Sequence, residues 1–106
     1  MAEELRIIKG DSHEIIVTVK DSNGDPINII QDLWNVEIET DTSINKNSID
    51  NPTDFTIVNN IVTIYLTSYE TGTIRGCARK HFKIKLYKNN TIKTVATGDL
   101  IFVDEV

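Results

Sequence analysis

The sequence predicts an all-β fold, a two-layered antiparallel sandwich, and three features of the chain lead to that prediction. Short segments in which apolar and polar residues alternate recur along the chain, with turn-forming residues about every 8–12 positions. The apolar residues are mostly Ile and Val, which favour strands, whereas Ala, Leu and Met are few. No alternation of strands with helices supports a parallel sheet. We therefore expect one immunoglobulin-like β-sandwich domain over residues 1–106, with about seven to eight short strands.

The predicted strands share a period of two. In chain order they are residues 3–9, 13–20, 34–40, 55–58, 61–66, 81–87, 92–96 and 100–103. The side chains expected to face the core are Leu5, Ile7, Ile15, Val17, Val19, Trp34, Val36, Ile38, Val62, Ile64, Leu66, Phe82, Ile84 and Leu86. Gly98 and Asp99 are expected to separate the last two strands.

The segments between the strands carry turn signals. Residues 21–26 are a tight connection in which Asn23 and Gly24 suit positive φ, and Pro26 favours an edge or a loop. Two Asn pairs, at 59–60 and 89–90, are typical of hairpin links. Residues 41–54 form a long polar loop with a short edge strand around 44–49, and residues 68–72 a single helical turn capped by Ser68.

Charge and cysteine content limit the function classes. The chain has 16 acidic and 11 basic side chains, a net charge of −5, which argues against binding to nucleic acid or to an anionic membrane. Cys77 is the sole cysteine, so an internal disulfide is excluded and a zinc site disfavoured. No apolar run is long enough for a signal-peptide core or a transmembrane helix, which predicts a chain made in the cytoplasm.

Several residue groups invite a chemical interpretation, and a structural one is favoured for each. Asp21, Asn23 and Asp25 alternate as in a calcium loop, but Gly24 and Pro26 break the required register, so a turn is expected. The neighbours at 11–13 (Asp-Ser-His) contain triad residue types, yet adjacent residues on an extended chain cannot converge.

The remaining candidates are expected to be ordinary surface or core residues. Both histidines, His13 and His81, are interpreted as exposed surface residues. Cys77, between Arg75 and Arg79, could have a lowered thiol pKa but lacks an evident partner. The outward lysines of residues 81–88 together with Lys93 would form a small basic patch, interpreted as edge protection; the tyrosines Tyr65, Tyr69 and Tyr87 are the weak basis for a sugar-binding platform.

With the segments laid out, their order resembles the small immunoglobulin-like domains at the N-termini of phage baseplate upper proteins and related tail-fibre proteins. The matching features cover nearly the whole chain: Gly10-Asp11-Ser12, the turn at 21–26, Ile27 and Ile29, Val36-Glu37-Ile38, the strand 61–66 with Thr67-Ser68, Phe82 to Leu86, and residues 98–103. Two features depart from the family pattern. Ile30-Gln31-Asp32-Leu33 replaces the usual Leu-Thr-Gly, and Gly76 only loosely represents the usual Gly-x-Tyr. In the family a coiled coil or fibre commonly follows the domain.

The resemblance implies a virion structural protein of a phage or prophage tail or baseplate. Such a protein has no enzymatic activity, cofactor or metal, acts through protein–protein interaction with other tail or baseplate subunits, and is compatible with a homo-oligomer. A weak contact patch is expected at Ile16 with the outward pair of the last strand, either Ile101 and Val103, which are favoured, or Leu100 and Phe102. The alternative function is a carbohydrate-binding or adhesin-type β-sandwich module, since one sandwich fold hosts many functions.

Overall fold

Two β-sheets packed face to face make up the fold, as the sequence predicts. The computed structural model describes residues 2–42, 44–75 and 78–104, with side chains from residue 4 onward. The strands are β1 Ala2–Ile8, β2 His13–Thr18, β3 Asn35–Thr40, β4 Lys46–Asn47, β5 Phe55–Val58, β6 Ile61–Leu66, β7 Ala78–Lys88 and β8 Thr91–Val103. One sheet has the order β1-β8-β7-β3-β4, and the other has the order β2-β6-β5. The all-β sandwich prediction is therefore confirmed.

The core lies between the two sheets and follows the predicted period of two. Val36 and Ile38 of β3 and Ile84 and Leu86 of β7 are fully buried, because alternate residues of each strand face the opposite sheet. The inward residues of β6 are buried in the same cluster. Trp34 is only half-buried and packs at the margin of the core, where the Lys88 ammonium lies 4.3 Å from its ring centroid.

The short connections also match their predictions. Asn59 and Asn89 occupy positive φ, at 53° and 50°, and each begins a two-residue hairpin link. The predicted helical turn is the helix α1, Ser68–Gly72, but its N-cap is Thr67 rather than Ser68. Thr67 accepts a hydrogen bond from the Glu70 backbone N–H, and the Glu70 carboxylate accepts one from the Thr67 backbone N–H.

Two features of the larger sheet differ from the sequence-based expectation. β1 pairs with β8 in parallel, whereas the other ladders are antiparallel. The segments 92–96 and 100–103 form one continuous strand, because Gly98 lies between β1 and β7 and is paired with residues of both. Gly98, flanked by strands on both sides, therefore does not end β8.

A bulge in β8 changes which way its first half faces. Ala96 is opposite Ile84 and Thr94 is opposite Lys85, so Val95 is the extra residue. Lys93 is consequently opposite Leu86, an inward-facing residue, and points to the inner side of the sheet. The prediction that Lys93 shares an outward basic patch with the lysines of β7 is wrong for this reason.

Candidate interaction surface

The outer face of the three-stranded sheet is almost free of charge. Because Ile15 and Val17 of β2 face the core, Glu14, Ile16 and Thr18 point outward, and the same alternation applies to β5 and β6. The outward side chains other than Glu14 are uncharged, and we refer to them together as the uncharged face: Ile16, Thr18, Thr56, Val58, Ile61, Thr63 and Tyr65.

The aliphatic members of the uncharged face adjoin one another. Ile61 is directly opposite Val58, and it is also opposite Thr18, which places it diagonally next to Ile16. Ile16 is 62% exposed, Val58 58% and Ile61 42%. Single exposed aliphatic residues are normal on a protein surface, whereas these three adjacent ones form a continuous aliphatic strip without intervening charges.

The outer face of the five-stranded sheet is ionic. On β7, Lys85 forms an ion pair with Glu39 of β3, and Arg79 forms ion pairs with Glu4 of β1 and Asp99 of β8. The His81 ring lies in contact with the same Asp99 carboxylate. The lysines of the predicted basic patch are thus partly neutralised by partners, and Lys88 donates a hydrogen bond to the Asp32 carbonyl oxygen (3.1 Å).

These contacts lower the pKa values of the Asp99 and Glu39 carboxyl groups. The hydrogen bond from Arg79 lowers the pKa of Asp99, with a further contribution from His81, against an opposing effect of burial. The hydrogen bond and charge of Lys85 lower the pKa of Glu39 in the same way. The carboxylates of the ionic face are therefore ionised at neutral pH, in contrast to the uncharged face on the opposite side.

The three residues predicted as a contact patch are not adjacent in the structure. Ile16 is exposed on the uncharged face, whereas Ile101 and Val103 point outward from β8 on the other sheet and are half-buried beside β1. Leu100 and Phe102 are the inward pair. The outer faces of the two sheets point in opposite directions, so Ile16 cannot form one patch with the other two residues.

The residues 21–26 form a turn, as predicted. The Asp21 carboxylate accepts hydrogen bonds from the backbone N–H groups of Asn23 (2.9 Å) and Asp25 (3.0 Å), and Gly24 has φ of 86°. Because the Asp21 carboxylate is engaged by backbone groups of the turn itself, no bound cation is needed to account for the alternating acidic residues. Among the residues that the structure describes, no group of three or more His, Cys, Asp or Glu could hold a metal ion.

The other candidates for chemistry are dispersed. His81 is exposed, as predicted, but His13 is half-buried at the start of β2. Tyr65 belongs to the uncharged face, Tyr69 to α1 and Tyr87 to the opposite sheet, so a shared aromatic platform is not formed. Cys77 lies outside the described residues, together with Gly76.

A buried ionic cluster, which no pattern in the sequence predicts, is centred on Lys46, whose side chain is 3% exposed. Its ammonium group donates to the Tyr65 carbonyl oxygen (2.6 Å), to Glu70 (2.8 Å) and to Asp54 (3.2 Å). Burial acts to raise the pKa of Glu70, but the hydrogen bonds from Lys46 and Thr67 outweigh it, and the pKa is lowered. All three N–H donors of Lys46 are used, so the cluster links β4 to β6 and α1.

Comparisons with known proteins leave the family open, since neither the protein-family models nor the curated proteins searched gave a match to this sequence. The described part of the chain contains no helix long and apolar enough to cross a membrane.

Proposed function

We propose that the chain is a non-enzymatic structural protein of a phage or prophage tail or baseplate, and that it docks on neighbouring subunits through the uncharged face. The order of sequence motifs that resembles baseplate upper and tail-fibre domains supports the class of assembly. The composition of the uncharged face supports docking on neighbouring subunits as the mode of action. The centres of protein–protein interfaces are depleted of charged residues, and the uncharged face has that composition whereas the opposite face does not.

The main support for this docking surface is that Ile16, Ile61 and Val58 are adjacent. On one sheet these exposed side chains form an aliphatic strip bordered by threonines, which add methyl groups and hydroxyls without charge. The outer face of a sheet suits another protein surface better than a small ligand, which is usually held in a concave pocket.

The virion location is tested with particles of the phage or induced prophage that encodes the chain. Particles purified on a density gradient are probed with an antibody against the chain, and tails separated from heads are probed in parallel. We expect the chain to sediment with tails and the antibody to label the baseplate end by electron microscopy. Its absence from purified particles would sink the proposal.

The docking surface is tested in the same system with substitutions on each face. Ile61→Lys combined with Val58→Lys places two charges in the uncharged face, and we expect incorporation into particles to fall at least tenfold because buried unpaired charges are costly at an interface. Ile92→Lys is the matched control, because Ile92 is 68% exposed on the outer side of the other sheet. Equal incorporation of the two variants would assign docking to a different surface.

A further inference from the structure

The edge of the three-stranded sheet at β2 lacks most of the devices that protect the other edges. Natural sheets blunt their edges with short strands, bulges, prolines or charged side chains, since unpaired backbone groups pair with other chains. β4 has two residues, β5 has four and follows Pro52, and β1 carries the exposed Glu4 and Arg6. The half of β8 without a β1 partner contains the Val95 bulge and Lys93.

β2 differs from these edges in most respects, although it carries one exposed charged side chain, Glu14. It is a six-residue strand with a regular register, without proline, glycine or lysine, and with Ile16 exposed at its middle. Beside it runs an open groove of about 420 Å³ between β2 and the unpaired half of β8, so the edge is accessible.

The backbone groups that β2 presents at this edge follow from its hydrogen bonds to β6. The Val19 N–H donates to the Asn60 carbonyl oxygen (2.7 Å), so residues that share its parity, Val17 and Ile15, also point their backbone groups at β6. The alternate residues Glu14, Ile16 and Thr18 therefore direct their N–H and C=O groups away from β6, toward the free edge.

We propose that two copies of the chain pair through β2, antiparallel across a two-fold axis at Ile16, to form a continuous six-stranded sheet. In this register Ile16 is opposite Ile16 of the second copy, and Glu14 is opposite Thr18 of the second copy. Each of the three facing pairs exchanges two backbone hydrogen bonds, about six in all. The register keeps the inward residues of both copies inward.

Charge complementarity favours a second copy of the chain as the partner at the β2 edge. The exposed Lys20, just beyond β2, is diagonally adjacent to Glu14 of the second copy in the two-fold register, and symmetry repeats this pair. Among the described residues, neither Glu14 nor Lys20 has an ion pair within the chain. A strand-edge contact buries less than a standard interface of roughly 1,600 Å², so the dimer is expected to be weak and concentration-dependent.

The association is tested by sedimentation velocity on the purified full chain, from about 10 µM to about 1 mM, the range of a weak complex. We expect a monomer–dimer equilibrium that Ile16→Pro abolishes, because proline removes an N–H at the free edge but not one that pairs with β6. Circular dichroism and urea unfolding establish that this variant folds. A wild-type chain that is monomeric at about 1 mM, or a dimer that survives in folded Ile16→Pro, would overturn the proposal.

A charge exchange tests the register without proline. Glu14→Lys or Lys20→Glu alone should weaken the dimer about tenfold, since each converts two attractive pairs into repulsive ones. The double variant Glu14→Lys/Lys20→Glu should restore wild-type association, and Lys83→Glu on the ionic face should leave it unchanged. Failure of the double variant to restore association would exclude this register.

Ile61→Lys should dimerise normally, so failure of the edge contact and failure of docking through the uncharged face are separate results.

Discussion

The Lys46 cluster shows how one residue holds the two sheets together. Its ammonium group lies between an edge strand of one sheet and the carbonyl oxygen of Tyr65 in the other, and two carboxylates supply the opposite charge. A lysine is rarely buried without such partners, because transfer of its charge from water is expensive. Lys46 therefore acts as a structural link, and its burial requires Asp54 and Glu70 together.

Substitution of Lys46 tests this role. Lys46→Met keeps most of the side-chain volume but leaves Asp54, Glu70 and the Tyr65 carbonyl oxygen without their donor. We expect the free energy of unfolding in urea to fall by about 3 kcal/mol, near the lower end for a broken buried pair, because both carboxylates are partly exposed. Lys83→Met, at an exposed position on the ionic face, should change stability by less than about 0.5 kcal/mol. Equal stabilities of the two variants would refute the structural role.

At the scale of elements, α1 is attached to the turn between β1 and β2. The Thr71 hydroxyl is fully buried; it accepts a hydrogen bond from the Gly10 backbone N–H (3.0 Å) and donates to the Asp11 carbonyl oxygen (2.8 Å). Gly10 has φ of 88°, a conformation that favours glycine, and its backbone lies next to Gly72 of α1. This turn carries the chain from one sheet to the other, so α1 determines where β2 begins.

Removal of the Thr71 hydroxyl should loosen this attachment. Thr71→Val preserves shape but removes the partner of the Gly10 N–H and of the Asp11 C=O in a part-buried contact, which is expected to cost about 1 kcal/mol. Hydrogen exchange should show faster exchange of the Gly10 amide relative to amides of β6. Thr73→Val is the control, because the Thr73 hydroxyl is exposed and its carbonyl partner can bind water instead. Unchanged exchange at Gly10 would mean that the helix does not hold the turn.

The elements also show what the sequence could and could not predict. Local alternation correctly predicts the inward residues of β3, β6 and β7, because the pleat alone decides which side chains share a face. Strand partners are not encoded in that pattern, which is why the parallel contact of β1 with β8 was missed. The Val95 bulge reverses the facing of Lys93, and no local signal distinguishes it from a regular strand residue.

The candidate surface was predicted only in part for the same reason. Ile16 was singled out correctly as an outward apolar residue, but its neighbours Val58 and Ile61 are on other strands and depend on the register of β6 with β2 and β5. Lys46 lies in the short edge strand expected around 44–49, but nothing in that polar stretch signals its burial, and its partners lie 8 and 24 residues away. Partners this distant in sequence become visible only when the fold is known.

At the scale of the whole molecule, acidic groups with lowered pKa values are found in two different environments. Glu39 and Asp99 lie on the ionic face in contact with water, whereas Glu70 pairs with a buried lysine between the sheets. Charges at the surface are screened by salt, and a buried pair is screened much less. Salt and acid should therefore affect the two groups differently.

The pH dependence of stability should reveal both groups. A carboxylate whose pKa is lower in the folded than in the unfolded state stabilises the fold fully above its unfolded value, and the stabilisation disappears as pH falls through the folded value. For Glu70, with an ordinary value of 4.5, we expect the free energy of unfolding to fall as pH is lowered from about 5 toward 3. In Glu70→Gln this loss should be smaller, because one of the shifted groups is gone.

In 1 M NaCl the surface contribution of Glu39 and Asp99 should decrease while the difference between wild type and Glu70→Gln persists. Urea unfolding across this pH range at low and high salt measures both effects, and a difference that vanished in salt would place the Glu70 pair at the surface rather than between the sheets.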